Sequence, residues 1–246
     1  MHDETAQLGL LDDPGATGGD WRVRASARAR RLAVRVLPGG LVEIVVPRGT
    51  RPGTVEQFVA RHRHWIERTL DLYRPAVSTC ADRLPDRVHF AATGRTLRLR
   101  HAGGAGAPRL QVGEGALVLT GAADRPVLLR HALQRFTMRE AHAAFGPWLA
   151  RLASATGLRY SSMQIRRQRT RWGSCSPSGT ISLNACLLFQ APAVVNYLLI
   201  HELVHTRHMN HSRRFWQLVE HFEPRWRELD AALSRGWREV PGWALT

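Results

Sequence analysis

The spacing of apolar and polar residues divides the first half of the chain into short strands and one long helix. RRLAVRVL (30–37) and LVEIVVP (41–47) alternate apolar and polar positions around Pro38-Gly39-Gly40, which predicts a β-hairpin. In residues 49–73, apolar side chains recur every three or four positions, which predicts an amphipathic helix. Four short alternating runs between residues 87 and 120, separated by glycines, predict further strands.

The second half of the chain changes to longer helical patterns. Residues 124–156 predict a helix that Gly146-Pro147 should kink or divide. The last third predicts a strand, a turn-rich hairpin and a second strand, followed by a helix that begins after Ala191-Pro192 and ends near Met209-Asn210. Two more helices are predicted beyond it, over RRFWQLVEHF and RWRELDAALSR.

The most apolar of these helices also carries a cluster of histidines. His201-Glu202-Leu203-Val204-His205 is an H-E-x-x-H motif, and residues four apart lie on one face of a helix, so both imidazoles can reach the same metal ion. Glu202 is offset by one position, where its carboxylate can accept a proton from a metal-activated water. The helix is apolar on nearly all sides and must be buried. The structural alternative is a pair of hydrogen-bonded core histidines, which are costly to bury without a purpose.

A catalytic zinc ion takes three protein ligands and leaves one position open for water, so a third ligand is needed. His208 and His211 are the two candidates. His208 lies about 4.5 Å further along the helix axis than His205, at ~1.5 Å per residue, and three ligands in a row suit tetrahedral coordination poorly. His211 follows Asn210, a residue that tolerates the end of a helix and a change of direction. We therefore predict His211 as the third ligand and a supporting or exposed position for His208.

The segment before this helix supplies candidates for substrate binding. A peptidase site needs a group that stabilises the developing oxyanion, and an extended substrate is often held by pairing with a strand. Either TISLNACLL or the WGSCS segment is a candidate for that strand. The candidate side chains are polar or aromatic residues of the preceding hairpin: Arg169, Arg171, Trp172, Ser174 and Asn184. Packing and turn-closing hydrogen bonds are the structural alternatives for Trp172 and Asn184.

Two parts of the chain resemble one known family. RTRWGSCSPSGTISLNACLL (169–188) followed by HELVHTRHMNHSRRFW (201–216) is similar to the YgjP-type (DUF45) metallopeptidase domain, a zincin-like family of metal-dependent hydrolases. RARRLAVRVLPGGLVEIVVP and FVARHRHWIERTL are similar to the opening segment of that family. The resemblance spans about residues 21–235 and is most specific between 169 and 216.

The resemblance carries implications for the site and the substrate. It implies zinc ligands at His201, His205 and His211 and a general base at Glu202. The motif does not define the substrate. Related WLM and SprT-like zincins act on DNA-linked proteins, which is an analogy with this chain.

Together these patterns predict an α+β fold: a zincin-like catalytic domain, with a small antiparallel sheet, the HExxH helix and following helices, preceded by a small strand-helix N-terminal unit. The predicted segments follow the changes in composition and pattern along the chain. They are a disordered acidic tail (1–20), an N-terminal β-hairpin plus helix unit (21–75), a linker and strand-rich segment (76–123) and the zincin-like catalytic region (124–246).

Composition adds an expectation about partners and location. The 246-residue chain has 35 Lys plus Arg, all of them arginine, against 20 Asp plus Glu, which gives a net charge of +15. This charge suggests a polyanionic partner such as nucleic acid, although scattered arginines are also typical of a GC-rich coding sequence. Three cysteines form no C-x-x-C pair, and neither a signal peptide nor a membrane span is recognisable, so we expect a cytoplasmic protein. The oligomeric state is not predicted.

The leading functional hypothesis is a zinc-dependent hydrolase, most simply a metallopeptidase that acts on a peptide or protein with zinc-activated water and Glu202 as general base. One alternative is a metal-dependent nucleoside triphosphate pyrophosphohydrolase, in which arginines bind the phosphates. Another is a basic nucleic-acid-associated protein or a protease of DNA-linked proteins.

Overall fold

The computed structural model describes residues 21–73, 85–113, 115–121 and 125–245. The predicted tail 1–20 lies outside the described residues, as does most of the predicted linker after residue 76. The chain divides into two compact units, residues 1–76 and 77–246. Within the described ranges, no helix is long and apolar enough to cross a membrane.

The first unit is a three-stranded sheet and one long helix. Its elements are β1 (Trp21–Ser26), β2 (Ala33–Val36), β3 (Val42–Pro47) and α1 (Pro52–Tyr73). The central strand β3 is antiparallel to β2 and parallel to β1. Ile66 and Leu70 of α1 pack on Val36 and Val42 of the sheet, so the helical apolar stripe covers one sheet face.

The second unit begins with a four-stranded sheet formed by β4 (Arg87–Phe90), β5 (Arg95–His101), β6 (Arg109–Gly113) and β7 (Ala116–Thr120). The strand order is β4-β5-β7-β6, with parallel pairing between β5 and β7 and antiparallel pairing at both ends. Alternate residues of these strands are buried, among them Val88, Phe90, Leu97, Leu117 and Leu119.

The helix α2 (Pro126–Thr156) follows and packs against β6 and against the next strand of the chain, β8 (Ser162–Arg166). It continues through Pro147, so Gly146-Pro147 does not divide this helix, and the alternative of a kink there stays a prediction. Pro147 is exposed, whereas Phe145 and Leu149 are buried on the same helical stripe. Burial of that stripe on both sides of the proline stabilises the helix despite the missing N–H donor.

The rest of the second unit holds a second sheet and a group of helices. It comprises β8 (Ser162–Arg166), β9 (Gly173–Cys175), β10 (Thr180–Asn184), α3 (Pro192–His205), α4 (Arg213–Phe222), α5 (Trp226–Arg235) and α6 (Gly242–Leu245), with short 3₁₀ helices at Ala185–Phe189 and Gly236–Glu239. The strand order is β8-β10-β9. The predicted α+β class is confirmed.

This sheet is mixed, which corrects the expectation of an antiparallel one. β10 is antiparallel to β9 but parallel to β8. β10 lies between β8 and β9 in this sheet, so the connection from β8 to β9 crosses from one side of β10 to the other. Asn184 holds this connection, because its side-chain amide donates to the carbonyl oxygens of Gln168 (2.6 Å) and Arg171 (2.8 Å).

Candidate metal centre

Two of the three candidate ligands lie on one face of α3. His201 and His205 are four residues apart in this helix, and their ring centroids are 4.9 Å apart. The helix ends at His205, earlier than the expected end near Met209-Asn210. At this end the backbone N–H of Thr206 donates to the carbonyl of Leu203 (3.0 Å) in a 3₁₀-type bond, and the Thr206 hydroxyl donates to the same oxygen (2.7 Å).

The early end of α3 brings His211 back to the first two histidines. His211 lies in the connection to α4, and its Nε2 is 3.2 Å from Nε2 of His201. One ring nitrogen from each of His201, His205 and His211 lies within 4.8 Å of the others, which is close enough for these atoms to hold one metal ion.

The aromatic ring of Phe215 packs against all three histidine rings of this cluster. Phe215 is fully buried in α4, and its ring centroid lies 4.9 Å from His201, 4.5 Å from His205 and 4.8 Å from His211. The contact with all three imidazoles restricts the positions of their rings. Because His211 lies outside α4, helical spacing does not predict this contact from the sequence.

Hydrogen bonds at Nδ1 leave Nε2 of the two helical histidines free to bind. Nδ1 of His205 lies 3.1 Å from the carbonyl oxygen of His208, which can only accept, so Nδ1 is the protonated nitrogen. His208 therefore acts on the site through its backbone. Nδ1 of His201 lies 3.4 Å from the hydroxyl oxygen of Tyr197. A hydrogen bond on the second nitrogen of a ligand histidine is the usual means of orienting the first.

Burial keeps the helical imidazoles in the neutral form that binds metals. Desolvation, together with the smaller effects of the neighbouring His205 and His211, lowers the pKa of His201 to about 3. Desolvation likewise lowers the pKa of His205. Neither ring needs to lose a proton at neutral pH before it binds an ion.

The carboxylate of Glu202 is buried beside the cluster. Only 3% of the residue is exposed, and its Oε2 accepts no hydrogen bond from any described residue. Desolvation raises the pKa of Glu202 to about 8. A buried carboxyl with an unsatisfied oxygen is costly in a purely structural position and is typical of a group that exchanges protons.

Gly173 of β9 makes room for this carboxylate. A Cβ atom at position 173 would lie 2.5 Å from Oε1, 2.9 Å from Cδ and 3.0 Å from Cγ of Glu202. The backbone of the strand thus packs directly on the carboxylate, a contact that only glycine permits. The WGSC sequence indicated a turn, and nothing in it predicted this contact.

The five residues proposed to bind substrate fall into two groups. Asn184 is fully buried, and its side chain is occupied by the loop carbonyls and by the amide of Cys186 (3.0 Å). Trp172 is also buried and stacks on Trp237 with ring centroids 3.9 Å apart. The structure gives both residues packing roles. Ser174 lies in β9 opposite Ser182, and Arg169 and Arg171 are exposed in the preceding loop.

Cys175 lies near the site but has the wrong chemistry for a nucleophile. Burial and the neighbouring Glu202 raise the pKa of its thiol to about 11. The thiolate, which is the reactive form, is therefore scarce at neutral pH.

Three imidazoles that could hold a metal ion therefore lie beside a buried carboxylate in an α+β unit. The family model of the YgjP-like metallopeptidase domain matches residues 30–236, and the chain belongs to this family. A metal ion at His201, His205 and His211 fits that membership.

A comparison with curated proteins found no match. Among solved structures, the chain is similar to the crystal structure of the metallopeptidase zymogen of Pyrococcus abyssi abylysin, with 28% sequence identity and a TM-score of 0.33. The alignment covers 35% of this chain and 87% of that chain.

Proposed function

We propose that this protein is a zinc metallopeptidase, with His201, His205 and His211 as the metal ligands and Glu202 as the general base. The observation that carries the proposal is the convergence of three imidazole nitrogens next to a buried carboxylate whose Oε2 has no partner among the described residues. Membership of a metallopeptidase family supports the reaction class.

The separation of one pair of nitrogens supports zinc as the ion. Zinc binds imidazole nitrogen at about 2.0–2.1 Å in tetrahedral sites, which places two ligand nitrogens about 3.3 Å apart. The Nε2 atoms of His201 and His211 are 3.2 Å apart. Three protein ligands and one open position are typical of catalytic zinc, whereas structural zinc has four protein ligands.

Glu202 is placed to move protons during hydrolysis. A bound zinc ion would supply Lewis acidity that activates water and polarises the scissile carbonyl. Oε2 of Glu202 then accepts the proton of the attacking water and delivers it to the leaving amine nitrogen. In the metal-free protein, burial raises the pKa of Glu202, which makes its carboxylate a stronger proton acceptor than an exposed one.

The edge strand β9 is the better candidate for substrate pairing. β10, which contains TISLN, pairs with a strand on each side and has no free edge, whereas no described strand pairs with the outer edge of β9. β9 also contacts Glu202 through Gly173. An extended peptide added at this edge would place its backbone beside the general base.

The test is peptide cleavage by purified protein. We expect zinc-loaded protein to cleave members of a broad peptide library, chelation to abolish cleavage, and added zinc to restore it. Glu202→Gln should retain zinc and lose about 10²–10⁴-fold in kcat/KM. Cleavage by zinc-depleted protein, or undiminished cleavage by Glu202→Gln, would contradict the proposal.

Assays of the same zinc-loaded, chelated and Glu202→Gln proteins distinguish the pyrophosphohydrolase and nucleic-acid-binding hypotheses from the peptidase. Release of pyrophosphate from nucleoside triphosphates without peptide cleavage would replace the peptidase with a pyrophosphohydrolase. Salt-dependent nucleic-acid binding that survives both chelation and Glu202→Gln, again without cleavage, would indicate a binding protein.

A further inference from the structure

The side of His201 that faces away from the candidate ion contacts a second layer of polar groups. Tyr197 precedes His201 by four residues on the same face of α3 and is 0% exposed. Its hydroxyl donates to Oδ1 of Asp230 at 2.8 Å, and its oxygen lies 3.4 Å from Nδ1 of His201. Asp230 belongs to α5, a helix that contributes none of the three ligands.

The direction of these bonds determines which nitrogen of His201 carries the proton. Tyr197 has one hydroxyl hydrogen, and that hydrogen goes to Asp230. The oxygen of Tyr197 can therefore only accept from Nδ1 of His201, which leaves Nε2 unprotonated on the side of His211. Donation to a carboxylate also polarises the hydroxyl and makes its oxygen a better acceptor.

The same helix supports His211 through a stack of rings. Trp226 lies four residues before Asp230, on the same face of α5. Its ring stacks on Trp216 with centroids 4.2 Å apart and an interplanar angle of 21°. Trp216 in turn stacks on His211, at 5.5 Å and 23°.

We propose that α5 is a positioning element for the metal ligands: Asp230 orients His201 through Tyr197, and Trp226 supports His211 through Trp216. The proposal rests on the proposed function only in that these histidines bind an ion. Because neither Asp230 nor Trp226 touches the candidate ion, both are positioning residues, and their effect should be seen in metal affinity.

The alternative is that these contacts only hold α5 against the rest of the unit. In that case, removing them would lower the stability of the metal-free protein and leave the zinc dissociation constant unchanged. Loss of partners that orient metal ligands typically weakens metal binding 10–100-fold. Zinc affinity and apo-protein stability must therefore be measured on the same variants.

The experiment is a competition titration of zinc-free full-length protein against a chromophoric chelator, with thermal unfolding of the same samples. We expect Tyr197→Phe to bind zinc at least 10-fold more weakly. Asp230→Asn, which keeps an acceptor but loses the charge, should have a smaller effect than Asp230→Ala. Trp226→Leu should weaken binding, whereas Trp226→Phe keeps an aromatic ring and should recover most of the affinity.

Two control variants make the same chemical changes at residues outside the Asp230–Tyr197–His201 contacts. Glu228→Gln neutralises an exposed acid on the same helix, and Tyr160→Phe removes a hydroxyl from the loop before β8. Both should bind zinc within twofold of the wild type. Tyr197→Phe and Asp230→Asn are nearly isosteric, so they remain informative if Asp230→Ala does not fold.

The outcomes are distinguishable. If wild-type protein binds stoichiometric zinc and Tyr197→Phe and Asp230→Asn bind it equally tightly, the inference about α5 is overturned and the proposed metal site stands. If the wild type binds no zinc, the proposed function fails and this inference fails with it.

Discussion

At the scale of single residues, each of the three imidazoles is oriented by a different kind of partner. His205 donates to the backbone carbonyl of His208, His201 is bonded to the Tyr197 hydroxyl, and His211 stacks on Trp216. The first partner is a main-chain atom, so it does not depend on which side chain is present at position 208. The three orientations can therefore be disturbed one at a time.

The two histidines that compete for the third ligand position should respond differently to alanine. We expect His208→Ala to keep stoichiometric zinc, because the carbonyl that holds His205 is retained. His211→Ala should lose zinc, because its Nε2 is one of the three converging nitrogens. Elemental analysis after gel filtration measures both. Stoichiometric zinc in His211→Ala would disprove the ligand assignment.

Substitution of Gly173 should impair peptide cleavage, because this residue packs on the carboxylate of Glu202. In Gly173→Ala, the new Cβ would lie 2.5 Å from Oε1 of Glu202, so the carboxylate must move from its position. We expect kcat/KM for peptide cleavage to fall at least about 10-fold, with zinc content unchanged, since a small displacement of a catalytic group is costly. Gly53→Ala, where a Cβ meets nothing within 4 Å, is the control. Equal activity of the two variants would argue against this role.

At the scale of elements, two helices differ in extent from the pattern of their sequence. The helix α2 continues through Pro147 because its buried stripe, with Phe145 and Leu149, lies away from the exposed proline. The helix α3 ends at His205 although the sequence pattern continues to Met209-Asn210, and this end leaves His211 in the connection to α4. In α2, burial of the apolar stripe overrides the local preference of proline.

Pro147, inside α2, should lower the free energy of unfolding by a measurable amount. We expect Pro147→Ala to raise the free energy of unfolding by about 1–3 kcal/mol, because alanine restores the missing donor and has the best helix propensity. Pro126→Ala, at the first turn of the same helix, should change it by less than about 0.5 kcal/mol. Chemical denaturation of both variants gives the comparison. A destabilised Pro147→Ala would show that the helix is adapted to the proline.

At the scale of the whole molecule, a metal ion held by the three histidines would join the end of α3 to the connection before α4. His201 and His205 belong to α3, and His211 belongs to the connection before α4. An ion shared between them would stabilise the unit that spans residues 77–246. The +15 net charge is a property of the same scale, and a nucleic-acid partner remains a prediction from it.

Metal binding should therefore raise the thermal stability. At a free zinc concentration about 100-fold above the dissociation constant, the stabilisation is about 2.7 kcal/mol, and each kcal/mol raises Tm by about 2–4 °C in a protein of this size. We expect a zinc-dependent rise of about 5–10 °C in the wild type and little rise in His211→Ala. Differential scanning fluorimetry with and without zinc tests this. An equal rise in both proteins would place the bound zinc elsewhere.

The sequence by itself determined the α+β class and the pairing of His201 with His205, because a helix places residues four apart on one face whatever surrounds it. It also favoured His211 over His208 from the geometry of three ligands in a row.

Only the tertiary structure decided which residues surround the histidines and Glu202 in the candidate metal centre. Tyr197 meets Asp230 across 33 positions of the chain, and Gly173 meets Glu202 from a different strand. The parallel pairing of β8 with β10 is likewise visible only in the tertiary structure. Periodicity describes which face of an element is apolar, whereas the partner of that face depends on how the elements pack.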